Sequence, residues 1–428
     1  MIVLKQGEIM AKNIVIIFDG TSNEISGDRT NPLRLYGCLE RNERQLVYYD
    51  PGVGTMGVKN SINWWQSKAY EVWGLASGFG IDQNVIDAYQ FIVQNFERSP
   101  VDATGRKTGK EDRLFIIGFS RGAYSARVLA GFIHALGLME TYQFNLLDYA
   151  YRTYKSIPKS EGDDGISRET SGPDAAFETM RLYERTLRTY RPSIEGLCLF
   201  DTVSSVIEWG KYFPKLTTHP FTRKNRSVRF VRHAVAIDER RTMFYPQLWP
   251  TGEKYLGGPF HPKDAAGNPL PDDAIPDQDV KERWFAGVHA DVGGGYPEAE
   301  SATAKVPLTW LIHETSARPN GLLYDTSAVE LLLGETPGSH YTPASPTADL
   351  HKSLKGLWWI VELMPRFRPW REDERGKPDR GWRSIIIPLG RHRKIPSNAI
   401  LHPSVKTRLE ARPDYRPPNL PTNPTFGT

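Results

Sequence analysis

One short segment limits what this chain can fold into more than any other. An apolar stretch ends in Gly-Phe-Ser-Arg-Gly at residues 118–122, and a helical pattern begins directly after it. A serine in this strand–turn–helix context is typically a nucleophile, although the same motif also occurs as a purely structural turn. Because the turn is tight, small residues at Gly118 and Gly122 keep the strand and the helix from colliding around Ser120. We therefore predict that Ser120 lies at the edge of a sheet, where the backbone N–H of Arg121 faces a developing oxyanion.

The composition is that of an ordinary globular protein and argues against several classes. Hydrophobic residues make up 39% and charged residues 24% of the 428 positions, enough chain for one large domain with insertions or for two domains. A net charge of +4 is too small over this length to indicate nucleic-acid binding. The sequence contains only two cysteines, Cys38 and Cys198. This number argues against a disulfide scaffold and against a cysteine zinc site, and it favours a reducing compartment.

The sequence lacks the usual signals for membrane insertion. The first eight residues have too short an apolar core for a secretory signal peptide. No run of about eighteen apolar residues occurs, so we expect no membrane-spanning helix. We therefore expect a cytoplasmic protein, or one that is exported without a cleaved signal peptide.

Apolar segments alternate with helical patterns along most of the chain. Besides the strand before Ser120, buried-strand patterns occur at residues 13–18, 45–49, 196–200, 227–237 and 283–288. This alternation predicts an α/β fold of the α/β-hydrolase type, with a mostly parallel sheet covered by helices on both faces. We expect one catalytic domain over residues 13–400 and a disordered, Pro-rich tail over residues 412–428.

Two segments interrupt the alternation after Ser120. Residues 141–195 combine helical pieces with a polar stretch rich in Gly and Ser, and residues 251–281 are rich in Pro, Gly and Asp. Lids of α/β-hydrolases are inserted at such places between sheet strands. We therefore expect both segments to cover the site as lids.

Polar residues stand at the ends of the predicted strands. In chain order they are Asp19, Asp50, Ser120, Asp201 and His289. Active sites of parallel sheets form at the carboxyl ends of the strands. A serine nucleophile needs a base and an acid that orients the base, and the order serine, aspartate, histidine is that of α/β-hydrolases. We predict Ser120 as nucleophile, His289 as base and Asp201 as acid.

Other residues compete for these roles. His402 is the alternative base, although it lies past the main alternation of strands and helices. Asp291 is the alternative acid, but it is so close in sequence to His289 that we expect it to point elsewhere. The alternative role for Asp201 is purely structural, as a cap at the end of its strand.

The Asp-Gly-Thr sequence at residues 19–21 has two interpretations. It resembles half of the Asp-x-Asp-Gly-Thr motif of phosphatases with an aspartyl nucleophile, but Ile17 occupies the place of the first aspartate. We instead predict that Gly20 and Thr21 supply the second backbone donor of the oxyanion hole. Asp19 then holds the loop through hydrogen bonds to its own backbone.

Several motifs occur together in one order and indicate a family. They are Gly-Phe-Ser-Arg-Gly-Ala at 118–123, Phe-Asp-Thr-Val at 200–203 and Val-His-Ala-Asp-Val-Gly-Gly-Gly-Tyr at 288–296, with further matches at 18–23, 232–239 and 357–359. Together they resemble the catalytic domain of type VI secretion phospholipase effectors, a group of bacterial α/β-hydrolases. The resemblance extends over most of the chain, from about residue 13 to residue 363.

This resemblance implies an activity and partners. A triad of Ser120, Asp201 and His289 is expected to cleave acyl esters of phospholipids, or small esters, without a metal or another cofactor. Export by a contact-dependent secretion system is implied as well. The corresponding partners are the secretion apparatus and a cognate immunity protein.

Two further hypotheses remain open from the residues alone. The first is a metal-dependent phosphoesterase, in which Asp19, Asp50, Asp201 and His289 gather around a divalent cation. Against it, no His-x-His or His-Glu-x-x-His pattern occurs. The second is a non-catalytic module for membrane or partner binding, because residues 355–371 interleave aromatic with basic side chains. A core helix followed by a surface loop explains the same pattern.

Overall fold

The computed structural model describes most of the chain. The described residues are 11–20, 29–52, 80–100, 108–157, 175–203, 206–209, 214–217, 219–264, 266–356, 358–363, 366–367 and 385–428. None of the helices within these ranges has the length and apolar content needed to span a membrane.

Twelve strands and ten α-helices alternate along the described ranges. The strands are β1 (Asn13–Phe18), β2 (Gln45–Asp50), β3 (Arg113–Phe119), β4 (Ile194–Phe200), β5 (Val206–Trp209), β6 (Pro214–Thr217), β7 (Val228–Ala236), β8 (Asp279–Phe285), β9 (Arg366–Phe367), β10 (Ile385–Ile386), β11 (Ile400–Leu401) and β12 (Thr425–Phe426). The helices are α1 (Asn31–Cys38), α2 (Ile81–Asn95), α3 (Arg121–Leu136), α4 (Leu147–Ser156), α5 (Ala175–Leu187), α6 (His289–Gly293), α7 (Lys305–Ser316), α8 (Thr326–Leu332), α9 (Trp358–Leu363) and α10 (Pro403–Ala411).

Eight of the strands form one sheet in the order β12-β11-β8-β7-β4-β3-β1-β2. All of its strand pairs are parallel. The predicted α/β fold with a mostly parallel sheet is therefore confirmed. Because the long strands run the same way, their last residues (Phe18, Phe119, Phe200, Ala236 and Phe285) lie along one edge, called the carboxyl edge below. The first residues of the same strands define the amino edge.

Helices cover both faces of the sheet, and β1 shows how the sequence divides between them. Ile14, Ile16 and Phe18 belong to the core cluster with α2, α3 and α4. Val15 and Ile17 belong to the cluster with α1 and α7. Successive side chains of a strand point to opposite faces, so a strand that is covered on both faces is apolar at nearly every position. All six residues of β1 are buried.

The inserted segment 251–281 lies at the amino edge, so the prediction that it forms a lid over Ser120 is wrong. The backbone N–H of Leu256 donates to the carbonyl oxygen of Arg226 (2.9 Å). The Gln278 side chain donates to the carbonyl oxygens of Asn225 and Val228, where the chain enters β7. The reason is topological: β7 and β8 are parallel, so their connection must return to the amino edge before β8 begins.

The other inserted segment, 141–195, contributes helices to one face of the sheet. Helices α4 and α5 pack on α3, with Tyr154 and Met180 buried in the core cluster that contains α3. The Tyr154 hydroxyl donates to the carbonyl oxygens of Val128 and Pro220. The described part of this segment therefore thickens the helical layer instead of forming a separately packed lid. Residues 158–174 lie outside the described residues.

The segment 412–428 is part of the fold, so the prediction of a disordered tail is wrong. Strand β12 pairs in parallel with β11 and extends the main sheet. The Asn419 side chain donates to the carbonyl oxygens of Ile237 and Arg393. These partners are distant in sequence, and Pro content carries no information about them. We propose that the domain predicted over residues 13–400 includes this tail.

Helix α3 begins directly at the end of β3 and approaches β1 closely. A Cβ atom at Gly122 would lie 2.3 Å from the carbonyl oxygen of Asp19 and 2.4 Å from that of Phe18. No side chain fits at such distances, so only glycine allows the helix to lie this close to the strand. The tight turn that the sequence predicts around Ser120 is therefore present.

Replacement of Gly122 by alanine is expected to lower the free energy of unfolding by roughly 2 kcal/mol or more, because backbone must shift to accommodate the methyl group. Gly37→Ala in α1 is the matched control, since its Cβ meets only Leu332 Cδ1 at 3.6 Å. The control should leave stability unchanged or slightly increased. Denaturant unfolding followed by circular dichroism measures both variants, and equal stability of the two would contradict the packing argument.

Candidate active site

The carboxyl edge brings Ser120, Asp201 and His289 into one hydrogen-bonded chain. The Ser120 hydroxyl lies 2.8 Å from His289 Nε2, and His289 Nδ1 lies 2.5 Å from Asp201 Oδ2. With the proton on Nδ1, the imidazole donates to Asp201 and its Nε2 accepts from Ser120 Oγ. All three side chains are buried. These are the three residues that the sequence predicts as nucleophile, acid and base.

Ser120 is held in a strained turn between β3 and α3. Its φ of 58° is in the left-handed region, which costs a non-glycine residue of order 1 kcal/mol. Its backbone N–H donates to the carbonyl oxygen of Phe200 (3.0 Å), which ties the turn to β4. The close packing of Gly118 against Gly122 and Ala123 prevents the turn from relaxing. The local sequence therefore determines where the hydroxyl points.

Asp201 follows β4 directly and is surrounded by donors. Its backbone N–H donates to the carbonyl oxygen of Ala234 (2.7 Å), and its Oδ1 accepts from the N–H of Ala236 (2.9 Å). The Arg393 guanidinium donates to both carboxylate oxygens, at 2.6 Å to Oδ1 and 2.9 Å to Oδ2. The end of β4 thus presents a carboxylate in one fixed orientation toward His289.

His289 is the first residue of α6, and its ring lies between two aromatic side chains. The ring centroids of Phe119 and Phe244 are 4.7 Å and 4.8 Å from that of the imidazole. The backbone N–H of His289 donates to Glu239 Oε2 (3.2 Å). The aromatic contacts exclude water from the ring, and the hydrogen bonds set its direction.

The protonation of this pair follows from burial and charge. Burial disfavours the ionised form of Asp201, but the Arg393 guanidinium and the hydrogen bond from His289 outweigh it and hold the pKa of Asp201 below its usual range. Burial lowers the pKa of His289 below its ordinary value of 6.5, and the opposing effect of Asp201 only partly offsets this. A neutral imidazole beside an ionised carboxylate is the arrangement that a general base requires.

The predicted oxyanion donors have different outcomes. Arg121 is the first residue of α3, so its backbone N–H is at the helix start beside Ser120. The N–H of Gly20 donates to Asp19 Oδ1 (2.6 Å), so in this structure it serves the Asp19 loop and is not aimed at an oxyanion. This corrects the assignment of Gly20. Thr21 lies outside the described residues.

The rival residues are engaged elsewhere. The ring of His402 stacks on Phe285 (4.5 Å between centroids), and its Nδ1 accepts from the N–H of Ser404 at the start of α10. Asp291 contacts His351 instead of His289, with 2.6 Å between Asp291 Oδ1 and His351 Nδ1. The structure therefore brings neither alternative to Ser120.

The four residues of the metal-site hypothesis belong to three separate sets of side-chain hydrogen bonds. Asp201 and His289 bond to each other, as described above. Asp19 Oδ2 accepts from Thr30 Oγ1 (2.5 Å) and from the Tyr49 hydroxyl (2.6 Å). Asp50 accepts from Gly52 N–H and from Asn84, and burial raises its pKa to about 6. Protein donors occupy these carboxylates, so this donor set does not favour a divalent cation.

Three residues of the site were missed from the sequence. Glu239 belongs to the segment 232–239 that supports the family resemblance, so its motif could have indicated it. Phe244 and Arg393 carry no recognisable signal, since Arg393 lies in a short basic stretch that is typical of a solvated loop. Their positions at the site depend on contacts between distant segments.

The sheet and the hydrogen-bonded serine, histidine and aspartate at its carboxyl edge define a protein of the α/β-hydrolase class. The chain belongs to the family described as "T6SS, Phospholipase effector Tle1-like, catalytic domain", whose family model matches residues 12–314. The resemblance expected from the motifs is therefore confirmed.

The individual relatives share low sequence identity with this chain. The uncharacterised protein YEL023C of Saccharomyces cerevisiae is 24% identical over 96% of this chain and 80% of its own length. An uncharacterised protein from Pseudomonas aeruginosa matches with 17% identity and a TM-score of 0.36, over 71% of this chain and 46% of that chain. The Tle1 effector bound to the VgrG spike of the type VI secretion system matches with 17% identity and a TM-score of 0.31, over 68% and 53%. This chain spans about half the length of the solved chains that it matches.

The electrostatics predict how His289 titrates. We expect its imidazole to titrate below pH 6.5 in the folded protein, and Asp201→Asn to lower that midpoint further, because the carboxylate favours the imidazolium. Nuclear magnetic resonance of histidine-labelled protein measures the midpoint, with the signal assigned by its loss in His289→Gln.

Asp291→Asn is the matched control for this titration. Asp291 faces His351, whose pKa its hydrogen bond raises. This variant should therefore lower the midpoint of His351 and leave that of His289 in place. A His289 midpoint above 6.5, or one that responds to Asp291 and not to Asp201, would contradict the assignment.

Proposed function

We propose that this protein is a serine hydrolase that cleaves carboxylic acyl esters of phospholipids through an acyl-enzyme on Ser120. The observation that supports the proposal most strongly is the hydrogen-bonded chain from Ser120 through His289 to Asp201. Membership in the phospholipase effector family supports the lipid substrate. The geometry alone is equally compatible with small esters.

The reaction begins when Ser120 Oγ attacks the carbonyl carbon of the ester while its proton passes to His289 Nε2. Asp201 stabilises the resulting imidazolium through the hydrogen bond to Nδ1. The tetrahedral intermediate carries its negative charge on the former carbonyl oxygen, and the N–H of Arg121 is the donor that we propose for it.

Collapse of the intermediate breaks the bond to the alcohol part of the lipid. The leaving oxygen takes the proton from Nε2, and the acyl group remains as an ester on Ser120 Oγ. Water then attacks this ester and gives a proton to Nε2. When the second intermediate collapses, the fatty acid leaves and Ser120 regains its proton, so the enzyme returns to its starting state.

A lipid interface is supported by apolar side chains close to the site. In α9, Trp359, Ile360 and Leu363 are 41%, 54% and 55% exposed. The preceding residue, Trp358, contacts Phe244, which in turn contacts His289. Exposed basic side chains at Lys352, Lys355, Arg391 and Lys394 belong to the neighbouring segments. Aromatic and basic residues together suit the headgroup region of a bilayer.

The family also supports export as a secretion effector. Its description names the type VI secretion system, which makes the secretion apparatus a proposed partner and contact-dependent export the proposed route. A cognate immunity protein is the corresponding proposed partner in a producing cell. This route is tested by comparing cells with an intact and a disrupted secretion apparatus. The chain should be recovered from the culture medium only when the apparatus is intact.

Ser120→Ala should abolish hydrolysis of a nitrophenyl ester and of phospholipid vesicles, with a loss of several orders of magnitude in kcat. A fluorophosphonate probe should label the wild-type protein at Ser120 and leave the variant unlabelled. Ser125→Ala is the matched control, because Ser125 is a buried serine on α3, the helix that begins directly after Ser120. Activity that survives in Ser120→Ala, or that is lost to EDTA and restored by one divalent ion, would overturn the proposal.

The double variant Ile360→Ser, Leu363→Ser should weaken binding to anionic lipid vesicles roughly fivefold or more, because it removes exposed apolar area from α9. Its kcat/KM on a soluble ester should stay at the wild-type value. Leu182→Ser on α5 removes a leucine that is 62% exposed and serves as the control. Unchanged vesicle binding in the double variant would remove α9 from the proposed interface.

A further inference from the structure

Arg393 contacts the proposed triad from the C-terminal part of the chain. Its two terminal nitrogens donate to the two carboxylate oxygens of Asp201, at 2.6 Å and 2.9 Å. The same nitrogens donate to the carbonyl oxygens of Ala236 and Phe244. The side chain is buried. The guanidinium therefore bridges the end of β4, the end of β7 and the loop that carries Phe244.

The position of Arg393 is set by the tail of the chain. Its carbonyl oxygen accepts from Asn419, and Asn419 also donates to the carbonyl oxygen of Ile237. Arg393 and Asn419 both lie beyond residues 12–314, which the family model matches. The part of the chain beyond the family-matched region thus reaches back to the carboxyl edge of the sheet.

The chemistry of this contact is suited to orientation. A guanidinium is planar and always charged, and its fork matches the two oxygens of a carboxylate. A carboxylate held at both oxygens cannot rotate about its Cβ–Cγ bond, so Oδ2 stays directed at His289 Nδ1. An unpaired carboxylate at this depth would face a large desolvation cost.

We propose that Arg393 is a positioning residue that orients Asp201 and, through it, sets the direction and protonation of His289. This inference rests on the proposed function, because Asp201 is the acid of the triad only in that proposal. It assigns the orientation of this acid to a residue outside the family-matched region. Arg393 acts through Asp201 and does not contact the ester. Its loss should therefore change kcat and the pH profile while leaving KM near the wild-type value.

The direction of the pH effect follows from the charges around the pair. The groups that face Asp201 are Arg393 in the C-terminal segment, His289 in α6 and His233 in β7. His289 faces Asp201, and it also faces Glu239 and Arg241 from the segment after β7. Removing the Arg393 charge leaves the Asp201 carboxylate without its guanidinium partner, so its negative charge acts more strongly on His289 and favours the imidazolium. The midpoint of the acid limb of kcat/KM should then rise.

The experiment compares Arg393→Met and Arg393→Lys with wild-type protein, using a soluble nitrophenyl ester across pH. Methionine removes the charge and the fork, so we expect kcat to fall ~100-fold and the midpoint to rise by about one pH unit. Lysine keeps the charge and loses the fork, so we expect kcat to fall ~10-fold with little change in midpoint. KM should stay within about twofold in both, because the substrate is not touched.

Arg408→Met is the matched control. Arg408 is a buried arginine of the same C-terminal region, and its side chain donates to the carbonyl oxygens of Pro346 and Ala348. It should lose stability without a change in kcat or midpoint. Thermal unfolding of each variant separates a loss of fold from a loss of orientation.

The outcomes are distinguishable from those of the proposed function. If Ser120→Ala retains activity, the proposed function fails whatever the Arg393 variants do. If Ser120→Ala is inactive and both Arg393 variants match Arg408→Met in kcat and midpoint, the role of Arg393 is overturned. If Arg393→Met does not fold, Arg393→Lys decides: wild-type kcat overturns the proposal, and reduced kcat with an unshifted midpoint supports it.

Discussion

The close approach of helix α3 to the sheet is the constraint on which the rest of the structure depends. All sixteen residues of α3 are buried, because the sheet covers one side and α2, α4 and α5 cover the other. This position is possible only because Gly118 and Gly122 let the backbones meet at the turn. The same turn forces Ser120 into a left-handed conformation, so the packing of the core and the direction of the proposed nucleophile have one cause.

The features predicted correctly from the sequence are those encoded by neighbouring residues. Most of β1 (residues 14–18) and the second half of β4 (residues 197–200) are continuous apolar stretches, since both faces of these strands are covered. Parallel topology then places their ends on one edge, which is why Ser120, Asp201 and His289 could be grouped without knowledge of a single contact. The grouping depended on strand ends, and strand ends are visible as the point where an apolar stretch meets a polar residue.

The features that were missed depend on contacts between distant segments. The composition of the tail 412–428 predicts disorder, yet β12 pairs in parallel with β11 and extends the sheet. Residues 251–281 have the composition of a lid, but the return path from β7 to β8 takes them to the amino edge. Arg393 lies more than one hundred residues from each triad member that it influences. Composition and motif spacing do not predict such contacts between distant segments.

The charges of the site explain why a buried histidine can remain neutral beside a buried aspartate. Two carboxylates, Asp201 and Glu239, are paired with two guanidiniums, Arg393 and Arg241. Burial opposes ionisation of Glu239, but Arg241 outweighs it and lowers the pKa of Glu239 to about 2. Because each negative charge already has a positive partner, the site does not require a proton on His289 for balance. In the proposed mechanism, the neutral imidazole accepts the proton of Ser120, and the ionised Asp201 is already oriented to stabilise the imidazolium that forms.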